Sequence, residues 1–131
     1  MNKTQNLTLL AARVLLALIF VAAGASKITG YAGTQAYMQS MGVAGALLPL
    51  VIALELGGGL AVMLGLWTRP LAWLLAGFTL VAAALFHHNF ADQVQMLMFM
   101  KNLAIAGGLM ALAAAGSGSY GLDARLGRAA R

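Results

Sequence analysis

The sequence predicts an all-α membrane protein: a four-transmembrane-helix bundle with a short amphipathic helix between the first and second spans. Of its 131 residues, 62% are hydrophobic and 8% are charged, whereas a soluble domain carries about 25% charged residues. Four stretches also reach the roughly 20 mostly apolar residues that a spanning helix needs. None of them alternates between apolar and polar residues as a membrane barrel strand does. We therefore expect a single membrane domain over residues 1–131.

The four predicted spans cover residues 7–27, 47–67, 71–89 and 97–115. Helices are expected because a backbone inside lipid must satisfy its own hydrogen bonds. The first span resembles a signal peptide, with Lys3 before an apolar run and a small-residue segment from Ala23 to Ala25. Arg13 interrupts that apolar run, and we expect the segment to remain as a helix.

The connections between the spans carry their own signals. The link after the first span has an apolar face with Tyr37, Met38 and Met41 and a polar face with Gln35, Gln39 and Ser40. It predicts a short amphipathic helix, ended by Gly42, that lies on the membrane surface or covers the bundle. Thr68-Arg69-Pro70 predicts a tight turn between the second and third spans, flanked by Trp67 and Trp73 at interface depth. Asp92 is expected to cap the last helix.

The basic residues predict the orientation in the membrane. With a cytoplasmic amino terminus, six of the eight lysines and arginines lie on the cytoplasmic side: Lys3, Arg13, Arg69, Arg125, Arg128 and Arg131. Only Lys27 and Lys101 lie on the other side. We therefore expect both termini in the cytoplasm.

Small residues predict the packed faces of two spans, because helices in lipid approach closely where side chains are small. The second span has Ala53, Gly57, Ala61 and Gly65, and the fourth has Ala104, Gly108, Ala111 and Ala115. Lys101 heads the second of these rows, so it is expected to point into the bundle.

Ionisable residues inside the spans are the candidates for function, since each costs roughly 2.5–3.5 kcal/mol on insertion scales. Arg13 is expected to snorkel to the headgroups. Lys27 ends a row of residues at helical spacing in the first span, formed by Arg13, Ala17, Phe20, Gly24 and Lys27 itself. Glu55 lies ~12 Å deep in the second span, at about 1.5 Å of rise per residue. A glutamate at that depth must pair, become protonated or face a wet cavity.

These residues are predicted to converge in the non-cytoplasmic half of the bundle. Lys27, Glu55, one of His87 and His88, and Lys101 with its neighbour Asn102 come from all four spans. Only one of two adjacent histidines is expected to face inward, because neighbours differ by about 100° on a helix. One acid and two bases give a net charge of +1, which suits a quinone oxygen, a semiquinone anion or a small organic acid. A buried ion-pair network that only fixes helix register is the alternative.

Several classes of chemistry find no support in the sequence. Cysteine is absent, which excludes disulfides, thiolate metal sites and thiol relays within this chain. The basic residues form no patch with aromatics, so nucleic acid is not an expected partner. Met96, Met98 and Met100 spread around a helix, so no metal site is predicted there. No nucleophile has a base and an orienting acid, and catalytic residues stay unknown.

The sequence also resembles a known family. The resemblance lies in the segments FVAAGASKITGYAGTQAYMQSMGVAGA from Phe20, ELGGGLAVMLGLWTR from Glu55, LFHHNF from Leu85, MFMKNLAIAGGL from Met98, and the ending SGSYGLDARL. Together these resemble the DoxX family of small bacterial inner-membrane proteins, particularly its YqjF-like members. The resemblance implies four spans with cytoplasmic termini and a link to quinone redox chemistry, including thiosulfate:quinone oxidoreductase, oxidative stress and resistance to quinones or catechols. The family's recurrent polar positions match Lys27, Glu55, His87, Lys101 and Asn102, without assigning their roles.

Three functions follow as hypotheses. The first is an oxidoreductase subunit that binds a quinone or a small aromatic ligand at Lys27, Glu55, His87, Lys101 and Asn102. A bound quinone is its expected cofactor, and membrane lipid, a partner oxidoreductase and a second copy of the chain are its expected partners. The second is a transporter of small aromatic or acidic compounds. The third is a membrane scaffold without a ligand.

Overall fold

The computed structural model describes residues 1–127 as a helical bundle without strands in that range. Its helices are α1 (Lys3–Thr29), α2 (Tyr31–Ser40), α3 (Gly45–Leu64), α4 (Thr68–Phe86), α5 (Gln93–Ala115) and α6 (Leu122–Arg125). Four of these, α1, α3, α4 and α5, are long and apolar enough to cross a membrane. The predicted fold class is therefore confirmed. Arg128 and Arg131, two of the residues used to predict the orientation, lie outside the described residues.

The first span begins earlier than its apolar run. The Asn2 side chain accepts a hydrogen bond from the Gln5 backbone N–H at 2.8 Å, and the Gln5 side chain accepts from the Asn2 N–H at 2.8 Å. This reciprocal capping box satisfies backbone donors that a helix start otherwise leaves unpaired. It extends α1 by a polar turn that hydrophobicity does not reveal.

The turn between α3 and α4 lies at residues 65–67. Gly65 adopts a left-handed conformation with φ +75°, and Trp67 follows with φ +52°. The prediction that Thr68-Arg69-Pro70 forms this turn is wrong, because Thr68 already begins α4. Pro70 fits the first turn of a helix, where a missing N–H leaves no hydrogen bond unmade.

The predicted amphipathic helix is α2, and it covers one end of the bundle. The Tyr37 ring stacks on Phe86 of α4 with centroids 5.5 Å apart, and Met38 is buried. Gln35 Nε2 donates a hydrogen bond to the Gly45 carbonyl at 3.1 Å. Gly42, with φ +78°, follows the helix as expected. We call the end with α2 and the α4–α5 link the distal end, and the end with residues 1–6, the α3–α4 turn and α6 the terminal end.

The spans pack mainly as two pairs, α1 with α3 and α4 with α5. Glycines bring the first pair together: a Cβ on Gly24 would lie 2.8 Å from the Leu56 backbone nitrogen, and one on Gly59 would lie 3.1 Å from Phe20 Cβ. Ala53 and Gly57 are exposed. The predicted small-residue row on this span is therefore wrong for these two positions, since the close contact uses other glycines.

The two pairs meet in a core that fills the terminal half of the bundle. Its buried apolar side chains are Ala17, Phe20, Val62, Ala72, Leu75, Ala76, Ala106, Leu109, Leu112 and Ala113. These residues lie at mid-span in α1 and toward the terminal end in α3, α4 and α5. The distal half is less filled, and the candidate site lies there.

The terminal end is closed by the segment 117–125, which folds back onto the bundle. The Asp123 carboxylate accepts hydrogen bonds from the backbone N–H groups of Trp67, at 2.8 Å, and Thr68, at 2.9 Å. Arg13 Nη2 donates to the Tyr120 carbonyl at 3.2 Å, and Arg13 is 0% exposed. The prediction that Arg13 snorkels to the headgroups is therefore wrong. The folded-back segment supplies an acceptor and, in Asp123, an opposite charge, so the guanidinium stays buried.

Candidate ligand-binding cavity

An apolar cavity of about 460 Å³ occupies the distal half of the bundle. All four spans and α2 contribute to its walls, with side chains such as Phe20, Met38, Val51, Phe78 and Ile105. Its volume falls within the roughly 300–1,000 Å³ typical of small-molecule sites, which combine apolar walls with a few polar groups. Lys27, Glu55, His87 and Asn102 are among the polar groups that line it.

An ion pair between two spans forms the charged part of this wall. Lys27 Nζ of α1 lies 2.7 Å from Glu55 Oε1 of α3, and the side chains are 26% and 6% exposed. Lys27 reaches the cavity because it continues the buried face of α1, as the helical spacing predicted. The structure thus pairs two of the residues that the sequence predicted to converge.

Glu55 lies in a local departure from α-helical geometry. Residues Ala53–Gly58 form a π-helical turn within α3. Such turns occur mostly as single bulges inside α-helices and often at functional sites, because the extra residue changes where the neighbouring side chains point. Gly58 and Gly59, which follow Glu55, are buried against Leu75 and α1 respectively. Glu55 is thus held on a tightly packed, non-standard turn.

The two adjacent histidines separate as predicted. His87 lines the cavity, and its Nδ1 lies 3.0 Å from Gln95 Oε1 of α5. His88 is exposed, and its Nδ1 lies 3.1 Å from the Ala84 carbonyl. With the Gln95 oxygen in this position, neutral His87 carries its proton on Nδ1 and leaves Nε2 as an acceptor.

Asn102 also lines the cavity from α5. Its Nδ2 donates a hydrogen bond to the Thr79 carbonyl of α4 at 3.3 Å, while Thr79 Oγ1 donates to the Leu75 carbonyl at 2.7 Å. The Asn102 contact ties α5 to α4 beside the cavity. Asn102 is therefore both a cavity residue and a link between two spans.

Lys101 does not face the bundle. It is exposed and is not part of the cavity wall, so the prediction that it points inward is wrong. The buried face of α5 runs through Asn102, Ala106, Leu109 and Ala113, with Asn102 half-buried. Lys101 is turned about 100° from that face. Ala104, Ala111 and Ala115 of the predicted small-residue row are exposed, and Gly108 alone of that row packs inward, against Leu16.

Removing Lys101 from the site changes its charge. One acid, Glu55, and one base, Lys27, remain in the cavity wall, which gives a formal charge of zero with a neutral His87. The expected excess of one positive charge is therefore absent from this wall. A neutral ligand fits it better than an anion, because an anion would need an uncompensated cation in the apolar site.

Some residues of the site were not predicted from the sequence to belong to it. Gln95 contacts His87, Thr79 lines the cavity, and the Tyr37–Phe86 stack lines its distal end. Gln95 offered a signal, as a polar residue in the first turn of the last span at the same end as His87. For the π-helical turn, the sequence signal was limited to the run of glycines from Gly57 to Gly59.

Comparisons with known proteins agree with this architecture. The family model described as DoxX matches residues 8–88. The chain is 56% identical to the inner membrane protein YqjF of Escherichia coli over 94% of this chain and 95% of that protein. It is 40% identical to the Escherichia coli inner membrane protein YphA over 89% of each chain.

A more distant relative has a name that mentions an activity. The chain is 37% identical to a Bacillus subtilis protein named "Putative oxidoreductase CatD" over 63% of this chain and 61% of that protein. No solved structure matches the chain. The family match, the two long alignments and the four apolar spans lead to one conclusion: the chain belongs to the DoxX family and is a multi-pass inner-membrane protein.

Proposed function

We propose that this protein binds one neutral aromatic molecule of the quinone or quinol class in the distal cavity. The observation that carries the proposal is the Lys27–Glu55 ion pair in the wall of an otherwise largely apolar cavity. An aromatic ring needs apolar walls, and its oxygen substituents need a small number of polar partners. The cavity supplies both.

Each polar group has a role that its chemistry allows. The Lys27 ammonium has three N–H donors, so it can donate to a ligand carbonyl while it stays paired with Glu55. The Glu55 carboxylate can accept a hydrogen bond, or a proton, from a ligand hydroxyl. Neutral His87 accepts at Nε2, which matches a quinol hydroxyl, and its protonated form donates, which matches a quinone carbonyl. The site can therefore serve both redox forms.

The bound molecule connects this protein to redox chemistry through a partner. We propose that the chain is a subunit that presents the ligand to a partner oxidoreductase, which supplies the redox centre. The name of the Bacillus subtilis relative supports an oxidoreductase setting. A second copy of the chain and membrane lipid are further proposed neighbours.

We propose that the terminal end faces the cytoplasm. Among the described residues, Lys3, Arg13, Arg69 and Arg125 belong to the terminal end. Lys27 and Lys101 belong to the distal half. Basic residues near the ends of spans concentrate on the cytoplasmic side, which supports this orientation.

Equilibrium dialysis of the protein in phospholipid nanodiscs tests ligand binding. The probe is a benzoquinone with a decyl chain, in its oxidised and reduced forms. Saturable binding of one molecule to each chain is expected, and Lys27→Met should weaken it roughly 10- to 100-fold, since a hydrogen bond to a charged group contributes about 1.5–3 kcal/mol. Lys101→Met, a lysine outside the cavity, is the matched control and should bind as the unmodified protein does. The absence of saturable binding in the folded protein would refute the proposal.

Transport is the second candidate, and the π-helical turn of α3 favours it. Transporters often place irregular helix segments at their substrate sites near mid-membrane, and Ala53–Gly58 is such a segment. The apolar core fills the terminal half, so a transported molecule would have to separate the two helix pairs. Uptake of the same quinone into proteoliposomes, faster than into protein-free liposomes, would favour transport over binding alone.

A further inference from the structure

The cavity is open toward the side of the bundle between α3 and α4. Three exposed apolar residues line the cavity on this side: Leu47 of α3 at 46%, and Val81 and Leu85 of α4 at 57% and 40%. An exposed apolar residue on a membrane span faces hydrocarbon. The cavity wall is therefore continuous with the lipid-facing surface on this side.

The divergence of two helices explains the opening. At mid-span α3 meets α4 closely, because a Cβ on Gly58 would lie 3.7 Å from the Leu75 side chain. The side of α4 that begins at Leu75 continues through Phe78, Ala82 and Leu85 toward the distal end, at helical spacing. These three side chains line the cavity instead of closing against α3. On the distal side of their mid-span contact, α3 and α4 thus leave a lateral gap.

The distal mouth of the cavity is bordered by α2, whose Tyr37 lines the cavity and is 48% exposed. Tyr37 of α2 stacks on Phe86 of α4 with an interplanar angle of 24°. Met38 beside it is buried and lines the cavity. A route past α2 meets this aromatic stack, whereas the route between α3 and α4 passes the apolar side chains Leu47, Val81 and Leu85.

We infer that the ligand is an amphiphile with an aromatic head group and a hydrocarbon tail, and that it enters from the bilayer between α3 and α4. This inference rests on the proposed function. The head group lies in the cavity beside Lys27 and Glu55, and the tail passes Val81 and remains in lipid. A cavity of about 460 Å³ is large enough for the substituted ring of such a molecule and the start of its chain. The apolar rim gives that chain a path along which no polar group has to lose its hydrogen-bond or ion-pair partner.

The opposite side of the bundle supplies an internal comparison. Ile19 of α1 lines the cavity and is 42% exposed. It lies on the side of α1 that packs against α5, because Leu16, one turn earlier, contacts Gly108. A tail that left the cavity on this side would pass Ile19 rather than Val81.

Two ligands with one head group test the inference. The first is the decyl-substituted benzoquinone, and the second is the same ring with a methyl group in place of the chain. Val81→Trp should fill the gap and weaken binding of the decyl compound by at least about tenfold. Binding of the methyl compound should fall clearly less, because Val81→Trp leaves the polar groups Lys27 and Glu55 in place. Leu80→Trp is the matched control, because Leu80 is exposed on the same helix but does not line the cavity.

The outcomes separate the two proposals. If the unmodified protein binds both compounds and Val81→Trp weakens neither, or Ile19→Trp alone weakens the decyl compound, the route between α3 and α4 is refuted and the binding function stands. If Val81→Trp weakens both compounds equally, the tail has no separate path and the inference also fails. If the unmodified protein binds neither compound, the proposed function fails and the inference fails with it.

Discussion

Lys27 Nζ and Glu55 Oε1 lie 2.7 Å apart and join the end of the first span to the middle of the second. The pair has two consequences that can be separated. It stabilises the packing of α1 on α3, and it places a donor and an acceptor in the wall of the distal cavity. Single and double substitutions distinguish the structural consequence from the ligand-binding one.

Lys27→Met should destabilise the protein because it leaves the Glu55 carboxylate buried without its partner. Breaking a buried pair from one side costs roughly 3–5 kcal/mol, and the 26% exposure of Lys27 places the expected loss at the lower end of this range. The double variant Lys27→Met/Glu55→Gln should recover most of that loss, because no unpaired charge remains. Thermal unfolding in detergent measures both. Equal losses in the single and double variants would show that the charge pairing does not stabilise the fold.

Asp123→Asn should destabilise the terminal end more than Asp92→Asn destabilises the start of α5. Asp123 is 0% exposed and accepts from two backbone N–H groups, whereas Asp92 is exposed and accepts from one, that of Val94, at 3.0 Å. Asparagine is also a good helix cap, so Asp92→Asn should cost only a few tenths of a kcal/mol. Loss of the Asp123 charge beside buried Arg13 should cost about 2 kcal/mol or more.

Trypsin sensitivity provides a second measurement of the same change. Arg125 is already exposed, but release of the segment 117–125 should free the backbone around it for cleavage in Asp123→Asn before the spans unfold. The Asp92→Asn variant should be cut at the unmodified rate. Unchanged cleavage in both variants, with unchanged stability, would show that Asp123 does not hold the segment in place.

Gly24→Ala and Gly57→Ala should have opposite effects. A Cβ on Gly24 would lie 2.8 Å from the Leu56 backbone nitrogen, while one on Gly57 meets nothing within 4 Å. Overpacking typically costs roughly 1–3 kcal/mol, and alanine in an open helical position is favourable by up to about 1 kcal/mol. Thermal unfolding of the two variants tests whether α1 and α3 are in backbone contact. A stable Gly24→Ala protein would contradict that contact.

His87→Leu should weaken binding of the quinol form more than that of the quinone form. Neutral His87 donates from Nδ1 to Gln95 and offers Nε2 as an acceptor, which only a ligand hydroxyl can use. The expected loss for the quinol is about 1 kcal/mol, or roughly fivefold in affinity. His88→Leu, which removes an exposed neighbour, serves as the control. Equal weakening of both redox forms would contradict this role.

Labelling with a membrane-impermeant maleimide tests the proposed orientation. The chain contains no cysteine, so any cysteine introduced by substitution is the single reactive thiol. Ser119→Cys at the terminal end should be protected in intact bacterial spheroplasts, and Asn89→Cys at the distal end should be labelled; both positions are exposed. The reverse pattern would invert the topology.

Hydrophobicity and helical spacing were enough to predict the four spans, the α2 helix and the inward face of α1. Hydrophobicity and spacing were enough because each of these features depends on the local sequence. A span depends on the length of an apolar run, and the inward face of α1 depends on the position of Lys27 relative to Gly24. The placement of Lys101 depended on which face of α5 is buried. Alanines occur on both the buried and the exposed face of this helix, so the row of small residues predicted the wrong face as buried.

The terminal end shows a different limit of local reasoning. Arg13 and Tyr120 are separated by 107 positions in the chain, and Thr68 and Asp123 by 55. No periodicity in a span indicates that a polar tail folds back to cover a buried arginine. Snorkelling was the expected behaviour because it needs only the residue and the lipid, whereas the observed burial needs a distant acceptor.

The position of Arg13 has a consequence for biogenesis. Its hydrogen-bond acceptor, the Tyr120 carbonyl, and the nearby Asp123 charge follow all four spans in the chain. The lasting partners of Arg13 therefore do not exist until residues 120–123 have been synthesised. Until then, water and lipid headgroups are the partners within reach of the guanidinium. Membrane insertion of α1 and completion of the fold around Arg13 are thus separate events in the synthesis of this protein.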